Sequence, residues 1–301
     1  MDRLDSMSTL LAAVEAGSLS AASRRMGMPL ATVSRKVSEL EAHLRTRLLV
    51  RTSRRLALTD AGRDYVAACR RILEDIGEAE RAASGEYSAP RGALDITAPV
   101  VFGRLHVLPV VTAFLAAFPE INIRLVLADR MVNLLEEHAD LAVRIGALAD
   151  SALVATRVGS IRRVACASPP YLAANGIPRH PQDLAAHSCV TFETLMSPTS
   201  WSFTVGRDTL LVAVRSRLVV STAEAAIDAA VAGTGITRVL SYQVADAVQA
   251  GKLTVVLADY EPARSPVSLV TNGQGLLPQK LRAFLDFAAP LLRARLELCE
   301  L

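Results

Sequence analysis

The feature that most constrains the fold is a pair of predicted helices joined at a glycine near the start of the chain. Residues from Ser18 to Met26 favour a short helix with Ser18 or Ser20 as its N-cap, and Gly27 then permits a sharp turn. A longer helix is predicted from Leu30 to Leu48, because apolar residues recur at helical spacing at Leu30, Val33, Val37, Leu40, Leu44 and Leu48. This arrangement is typical of a helix-turn-helix, whose second helix presents its first residues to the major groove of DNA.

Polar side chains gather on the second predicted helix, on or near the face opposite its apolar residues. Thr32, Ser34, Arg35 and Lys36 carry donors that suit phosphate oxygens and the edges of bases. A helical hairpin with a solvated basic face would show the same pattern. The helices alone therefore leave both interpretations open.

A basic segment directly after these helices favours the DNA-binding interpretation. Arg51, Thr52, Arg54 and Arg55 precede a short alternating run that ends at Thr59, as expected for a two-stranded wing along a phosphate backbone. Residues 1–60 contain ten Lys and Arg and six Asp and Glu, a net charge of +4, whereas the whole chain carries +3. The basic excess is confined to this end, which is the electrostatic pattern of a nucleic-acid binder.

Three segments of the sequence resemble the LysR-type transcriptional regulators. They are Ala21–Gly27, then Val33–Arg35 with Leu40 and Glu41, and then Arg51–Gly62. The length and the order of later segments match as well, so the resemblance covers essentially all 301 residues. It implies an N-terminal winged helix-turn-helix followed by an α/β effector domain with two lobes, similar to the periplasmic binding proteins. The implied DNA-contacting residues are Ser20, Leu30, Ala31, Thr32, Ser34, Arg35, Lys36, Arg51, Thr52, Arg54 and Arg55.

Two positions depart from the family pattern at the start of the second helix. Pro29 stands where the family usually has a serine N-cap, and Leu30 where it often has a polar residue. Pro29 can serve as the first helical residue, but it has no side chain that could cap the helix. Leu30 can contact a thymine methyl group, but it cannot form a hydrogen bond with a base.

Residues 60–84 are predicted to form one long helix with an apolar seam, whose members are Ala61, Tyr65, Ala68, Ile72, Ile76, Ala79 and Ala83. The seam either packs on the chain's own core or pairs with a second copy. The resemblance implies pairing, and hence a homodimer that can assemble further into a tetramer. We therefore predict a DNA-binding domain over 1–59 and a dimerising linker helix with a hinge over 60–90.

Beyond the hinge, predicted strands and helices alternate, with helices predicted over Pro99–Phe118 and Met131–His138 among them. This alternation favours mostly parallel sheets covered by helices. Residues 91–301 are thus predicted to form the effector domain. The resemblance implies that residues 91–160 with 266–301 form one lobe and that 161–265 form the other.

Ligands in open α/β sheets lie beyond the carboxyl ends of strands, often at helix N-termini. Two segments fit, Ile96–Val100 and Val220–Glu224, although Ser221 or Thr222 could merely cap a helix. Arg144 could contact a carboxylate ligand or pair with a structural acid, and Phe192 could line the cleft or pack in the core. The candidate effector-binding residues are Thr97, Ala98, Pro99, Val100, Arg144, Phe192, Ser221, Thr222, Ala223 and Gly235. Two helix N-termini and an arginine favour a small effector carrying a carboxylate or another acceptor.

Other classes of function find little support in the sequence. The four cysteines, Cys69, Cys166, Cys189 and Cys299, and the five histidines are scattered, so no metal site, cofactor or catalytic group is predicted. No signal peptide is visible, and the apolar run from Leu105 to Phe118 is shorter than a membrane span, so we expect a cytoplasmic protein that does not contact the membrane. An enzyme or ligand-binding protein fused to a DNA-binding head is the alternative, and an architectural DNA binder is a third.

Overall fold

The computed structural model describes residues 2–51, 56–84, 89–129, 139–148, 153–192, 200–272 and 277–298. The chain divides into two compact units, Met1–Ser88 and Ala89–Leu301. The first unit contains the elements α1 (Arg3–Glu15), α2 (Leu19–Met26), α3 (Leu30–Leu44), β1 (Leu49–Arg51), β2 (Leu56–Leu58) and α4 (Asp60–Ser84).

Helices α2 and α3 form the predicted helix-turn-helix. The Ser18 side chain accepts a hydrogen bond from the Ala21 N–H at 3.1 Å and caps α2, while Gly27 ends that helix in the left-handed conformation with φ 63°. Val33, Val37 and Leu40 on α3 are fully buried against α1 and α2. The apolar residues predicted from their spacing along α3 therefore form part of the core of this unit. The antiparallel hairpin of β1 and β2 forms the wing.

The second helix is shorter than its apolar spacing predicts. It ends at Leu44, because Arg45 adopts the left-handed conformation with φ 53°. Leu48 reaches the same core from the chain beyond the helix, and the N–H groups of Leu48 and Leu49 donate to Glu41 Oε1 at 2.8 and 3.0 Å. Pro29 occupies the N-cap position rather than the first helical position, and it provides no side-chain cap.

The start of α4 is held by a threonine and a glycine. Thr59 Oγ1 accepts from the Gly62 N–H at 2.9 Å and donates to the Arg47 carbonyl oxygen at 2.7 Å. A Cβ atom on Gly62 would lie 2.0 Å from the Leu48 carbonyl oxygen, so only glycine allows this close approach. Thr59 and Gly62, at the end of the segment Arg51–Gly62, thus join the wing to the long helix α4.

The second unit has twelve strands and six α-helices in its described part. The strands are β3 (Gly92–Ala98), β4 (Ile121–Leu127), β5 (Leu141–Ile145), β6 (Leu153–Ile161), β7 (Arg163–Ala167), β8 (Cys189–Phe192), β9 (Ser200–Val205), β10 (Asp208–Ala213), β11 (Ser216–Val220), β12 (Ile236–Leu240), β13 (Thr254–Val256) and β14 (Ser265–Asn272). The helices are α5 (Val100–Phe102), α6 (Leu108–Ala117), α7 (Pro169–Asn175), α8 (Ala223–Val231), α9 (Ser241–Gln249) and α10 (Gln279–Glu297). A π-helical turn, Gly103–Val107, and two 3₁₀ turns, Pro181–Ala186 and Ala258–Tyr260, complete the described set.

These elements build two lobes, each with a five-stranded sheet. The first sheet has the order β4-β3-β5-β14-β6, and the second has the order β11-β8-β12-β7-β13. Strands β3, β4 and β5 are parallel, as are β8, β11 and β12. The chain crosses between the sheets at residue 162 and again between residues 260 and 265. The mostly parallel α/β sheets predicted from the alternation are confirmed, and so is the two-lobed architecture that the resemblance implies.

Several elements differ from the sequence-based expectations. The helix predicted from Pro99 to Phe118 contains a π-helical turn over Gly103–Val107. Strand β7, helix α7 and the β9–β10 hairpin are absent from the prediction, and the predicted helix over Met131–His138 lies outside the described residues. Between Val100 and Ala117, 18 residues are apolar enough to cross a membrane by composition, yet Val101, Phe102, Val110 and Phe114 are buried in the core of the first lobe.

Candidate functional sites

The start of α3 presents an exposed surface of mixed character. Leu30 is 46% exposed, Ala31 and Arg35 are also exposed, and Thr32 and Ser34 are partly buried. Arg35 Nη1 lies 2.8 Å from Glu39 Oε1, one turn further along the helix, and both side chains face solvent. The Arg35 guanidinium is therefore available to a partner that can compete with one exposed carboxylate.

Lys36 is not part of this exposed surface. Its ammonium group forms an ion pair with Asp5 of α1 and lies 3.6 Å from Met28 Sδ, and only 17% of its side chain is exposed. The structure thus assigns Lys36 a role in holding α3 against α1. Ser20, on α2, is exposed. Arg51 ends β1, whereas Thr52, Arg54 and Arg55 lie outside the described residues and stay predictions.

In the second unit, the predicted lobe-1 residues stand at the carboxyl end of β3. Thr97 and Ala98 are buried, and Thr97 Oγ1 has no hydrogen-bond partner among the described residues. Pro99 precedes α5, and the Val100 N–H donates to Asp129 Oδ1 at 2.9 Å. An N–H group expected to be open to a ligand therefore already contacts a carboxylate of the chain itself.

The lobe-2 residues stand at the start of α8. Ser221 and Thr222 are exposed, Ala223 is buried, and Thr222 Oγ1 caps the helix by accepting from the Ala225 N–H at 3.2 Å. In the first turn of α8, Glu224 Oε1 lies 3.5 Å from Arg104 Nη2 of the first lobe. This contact shows that the start of α8 faces the π-helical turn that follows α5.

An aromatic cluster lies between the two lobes. The Tyr242 ring from α9 packs edge-on against Phe102 and His106 of the first lobe, with ring centroids 5.3 and 5.4 Å apart. Burial raises the pKa of Tyr242, and the charges of Asp129 and Glu224 raise it further. The hydroxyl group therefore stays protonated between the two helix starts, and we call Tyr242 the floor of the cleft.

His106 within this cluster is neutral. Burial lowers its pKa from 6.5 to about 4, and the positive charge of Arg295 lowers it further. In the part of the chain that the structure describes, neither ring nitrogen has a hydrogen-bond partner. Within the described ranges, no group of three or more His, Cys, Asp or Glu side chains could hold a metal ion.

The remaining predicted cleft residues fall in different places. Arg144 is next to last in β5 and Phe192 ends β8, so both lie at carboxyl strand ends, and Phe192 also packs against the core of its lobe. Gly235 lies at the opposite edge of its sheet, immediately before β12. A Cβ atom there would lie 2.3 Å from the Ser188 carbonyl oxygen. The structure does not bring Gly235 to the other candidates, because it precedes its strand rather than following it.

Sequence reasoning missed Asp129, Glu224 and Tyr242. Asp129 follows the carboxyl end of β4 and could have been found by the same rule that found Thr97. Glu224 is the acidic residue in the first turn of α8, which the helix dipole favours. Tyr242 gave no signal in the sequence, because only the crossing of the chain between lobes brings α9 to the first lobe.

Together these features define a DNA-binding head joined to a two-lobed domain of the kind that holds small molecules in its cleft. Family models agree over most of the chain: residues 4–63 match the bacterial regulatory helix-turn-helix protein, lysR family, and residues 88–293 match the LysR substrate binding domain. The chain belongs to the LysR family of DNA-binding transcriptional regulators, which confirms the resemblance.

Individual relatives support the same assignment. An HTH-type transcriptional regulator from Xanthomonas campestris pv. campestris is 37% identical over 278 residues, which is 91% of this chain and 81% of that protein. An HTH-type transcriptional repressor from Pseudomonas aeruginosa is 34% identical over 97% of this chain and 92% of its own length. The structure of CrgA, a LysR-type transcriptional regulator from Neisseria meningitidis, matches with a TM-score of 0.61 at 30% identity, covering 96% of this chain and 98% of that chain.

Proposed function

We propose that this regulator reads duplex DNA with the start of α3 and the wing, and that a small effector bound between its lobes controls the response. The DNA part of the proposal is supported by the exposed surface at the start of α3, where Arg35 lies beside Leu30 and Ala31. The facing starts of α5 and α8 carry the effector part. An effector that favours one arrangement of the lobes would shift the population toward it and so change how the oligomer binds DNA. Its place of action is the cytoplasm, where the DNA is.

Substitution of Arg35 tests the DNA-binding surface. Arg35→Ala is expected to cost roughly 1–3 kcal/mol of binding free energy on the specific site, because it removes a donor to a base edge or a phosphate. Glu39→Gln is the matched control, since it removes the carboxylate that competes for Arg35 and is expected to leave affinity equal or higher. Binding is measured by fluorescence anisotropy on specific and random duplexes across a salt series. Equal affinity of Arg35→Ala and the unmodified protein on both duplexes contradicts the assignment.

The cleft is tested by filling it. Thr222→Arg places a long side chain at the start of α8 and is expected to abolish the effector response while leaving DNA affinity nearly unchanged, because the head is a separate compact unit. Thr222→Ala removes the same helix cap without filling the cleft, so it separates lost capping from blocked binding.

Thr209→Arg adds the same bulk on the exposed surface of β10 and is expected to respond normally. The readout is effector-dependent DNA affinity together with the thermal shift. A normal response of Thr222→Arg would place the effector elsewhere.

The oligomer is proposed to form through α4. Val66 and Cys69 are buried within the first unit and Tyr65 packs partly against the same core, but Ile72 is 39% exposed. The first turns of α4 thus serve the chain's own core mainly through Val66 and Cys69, which lie outside the predicted seam, and Ile72 of the seam is left for a second copy. We propose a dimer that uses this part of α4, with pairing of dimers into a tetramer as the larger assembly.

A further inference from the structure

Four arginines and one glutamate lie together where the second lobe meets the chain crossings. Arg162 Nε is 3.2 Å from Glu261 Oε2, and the positive charges of Arg264 and Arg238 also act on Glu261. Arg238 is 95% buried and feels the like charge of Arg163. Positive groups therefore outnumber the carboxylate among the described residues of this cluster.

Strand register places two of these arginines on one face of the second sheet. Arg238 pairs with Ala165, and Leu240 pairs with Arg163, so Arg163 and Arg238 lie on the same side of neighbouring strands. Arg238 donates to the Ser202 carbonyl oxygen and stacks on Phe203 with 4.9 Å between guanidinium carbon and ring centroid. These two contacts hold the Arg238 side chain behind Arg163, on the side toward the β9–β10 hairpin.

Arg163 differs from its neighbours in having no partner. In the parts of the chain that the structure describes, no hydrogen bond or ion pair engages its guanidinium group, although the residue is partly buried. Leu240, the strand partner of Arg163, stands two residues before Tyr242, so Arg163 lies beside the floor of the cleft. Burial lowers the pKa of Arg163, and the electrostatic interaction with Tyr242 opposes that shift. Among the described residues, Arg238 Nε is also a buried donor without a hydrogen-bond partner. A half-buried cation beside an unsatisfied donor is the environment of a missing polar ligand that accepts hydrogen bonds.

The other charges near the floor are already engaged. Glu224 contacts Arg104, and Asp129 accepts from the Val100 N–H. The N-terminus of α8 is capped by Thr222. An anionic ligand would therefore find its unpaired partner in Arg163 rather than at the helix N-termini.

We propose that the Arg163 guanidinium is the anion-binding group of the effector cleft, and hence that the effector is a small organic acid whose carboxylate contacts Arg163 beside the Tyr242 hydroxyl. Arg238 is a positioning residue that keeps the surroundings positive. This inference rests on the proposed effector cleft. A planar guanidinium donates two parallel hydrogen bonds to a carboxylate, which a lysine cannot reproduce.

The test uses the full chain with acetate as the simplest carboxylate probe and acetamide as its neutral counterpart. Melting temperature is measured while acetate replaces chloride at constant ionic strength, so that a binding site gives a saturable rise. The unmodified protein is expected to respond to acetate and not to acetamide. Arg163→Met is expected to lose the response, with acetate affinity reduced about tenfold or more. Arg207→Met, at the exposed β9–β10 turn, is the matched control and is expected to respond fully.

Arg163→Lys is the control for a folding defect in Arg163→Met, because it keeps the positive charge and loses only the paired donors of the guanidinium. A weaker acetate response of Arg163→Lys than of the unmodified protein supports the proposal. No saturable response in the unmodified protein, or an undiminished one in Arg163→Met, overturns it.

Thr222→Arg separates the proposed effector cleft from the proposed role of Arg163. If it loses the acetate response while Arg163→Met keeps it, the cleft stands and the role of Arg163 fails. If the unmodified protein responds and neither variant changes that response, both the cleft and the role of Arg163 fail.

Discussion

His106 shows how burial sets the charge of a single side chain in this protein. Packed against Phe102 and Tyr242, it is 4% exposed and has a pKa of about 4 instead of 6.5. Between these two pH values the unfolded chain binds a proton that the folded chain does not. The folded state therefore loses stability as pH falls from 6.5 toward 4, by about 3 kcal/mol from this residue.

This pH dependence gives a prediction at the residue scale. His106→Leu keeps an apolar side chain in the cluster and removes the titrating group, so its free energy of unfolding should fall less steeply between pH 6.5 and 4 than that of the unmodified protein. The comparison is made by urea denaturation across that range. His43→Gln, on the exposed surface of α3, is the control and should leave the slope unchanged. Parallel curves for His106→Leu and the unmodified protein contradict the prediction.

At the scale of elements, the two crossings between the lobes are tied to each other. Arg162, between β6 and β7, pairs with Glu261, which precedes β14. Ser241 at the start of α9 donates its backbone N–H to the Arg162 carbonyl oxygen at 2.9 Å and accepts the Arg162 N–H on its side chain at 3.3 Å. The junction thus joins three segments that are distant in sequence, and it restricts how the lobes can move.

Breaking this junction should destabilise the effector domain. Glu261→Gln leaves the largely buried Arg162 without its countercharge, and we expect a loss of about 2 kcal/mol in the free energy of unfolding, since the pair keeps some contact with solvent. Glu120→Gln, at an exposed turn before β4, is the matched control. Chemical denaturation followed by circular dichroism measures both. Equal stability of the two variants would show that the ion pair does not hold the crossings.

At the scale of the whole molecule, the proposed dimer depends on the part of α4 that the chain itself leaves exposed. Ile72→Asp places a charge in the proposed apolar interface, so we expect dissociation to monomers and weaker DNA binding, because each head then binds alone. Ala67→Asp adds the same charge to an exposed position roughly opposite on the helix and should remain dimeric. Sedimentation velocity gives the assembly state of both variants. A monomeric unmodified protein at micromolar concentration contradicts the proposed dimer.

The sequence by itself determined the helix-turn-helix, the long helix over Asp60–Ser84 and the alternating α/β pattern, because each depends on neighbours within a few residues. Capping by Ser18, the turn at Gly27 and apolar spacing along α3 are local signals of this kind. The carboxyl strand ends at Thr97 and Thr222 were found for the same reason, since a strand followed by a helix is visible in the sequence. Leu48 misled the prediction, because a residue beyond a helix can fill the same core as the helix.

Only the tertiary structure decided which distant residues meet. The strand register shows that Cys166 and Cys189, on strands separated by β12, contribute to different cores of their sheet. The ion pair of Lys36 with Asp5, the insertion of Tyr242 between the lobes and the position of Arg163 beside the end of β12 all depend on long-range packing. Local spacing carries no information on these contacts, because burial and charge pairing arise only when separate segments are brought together.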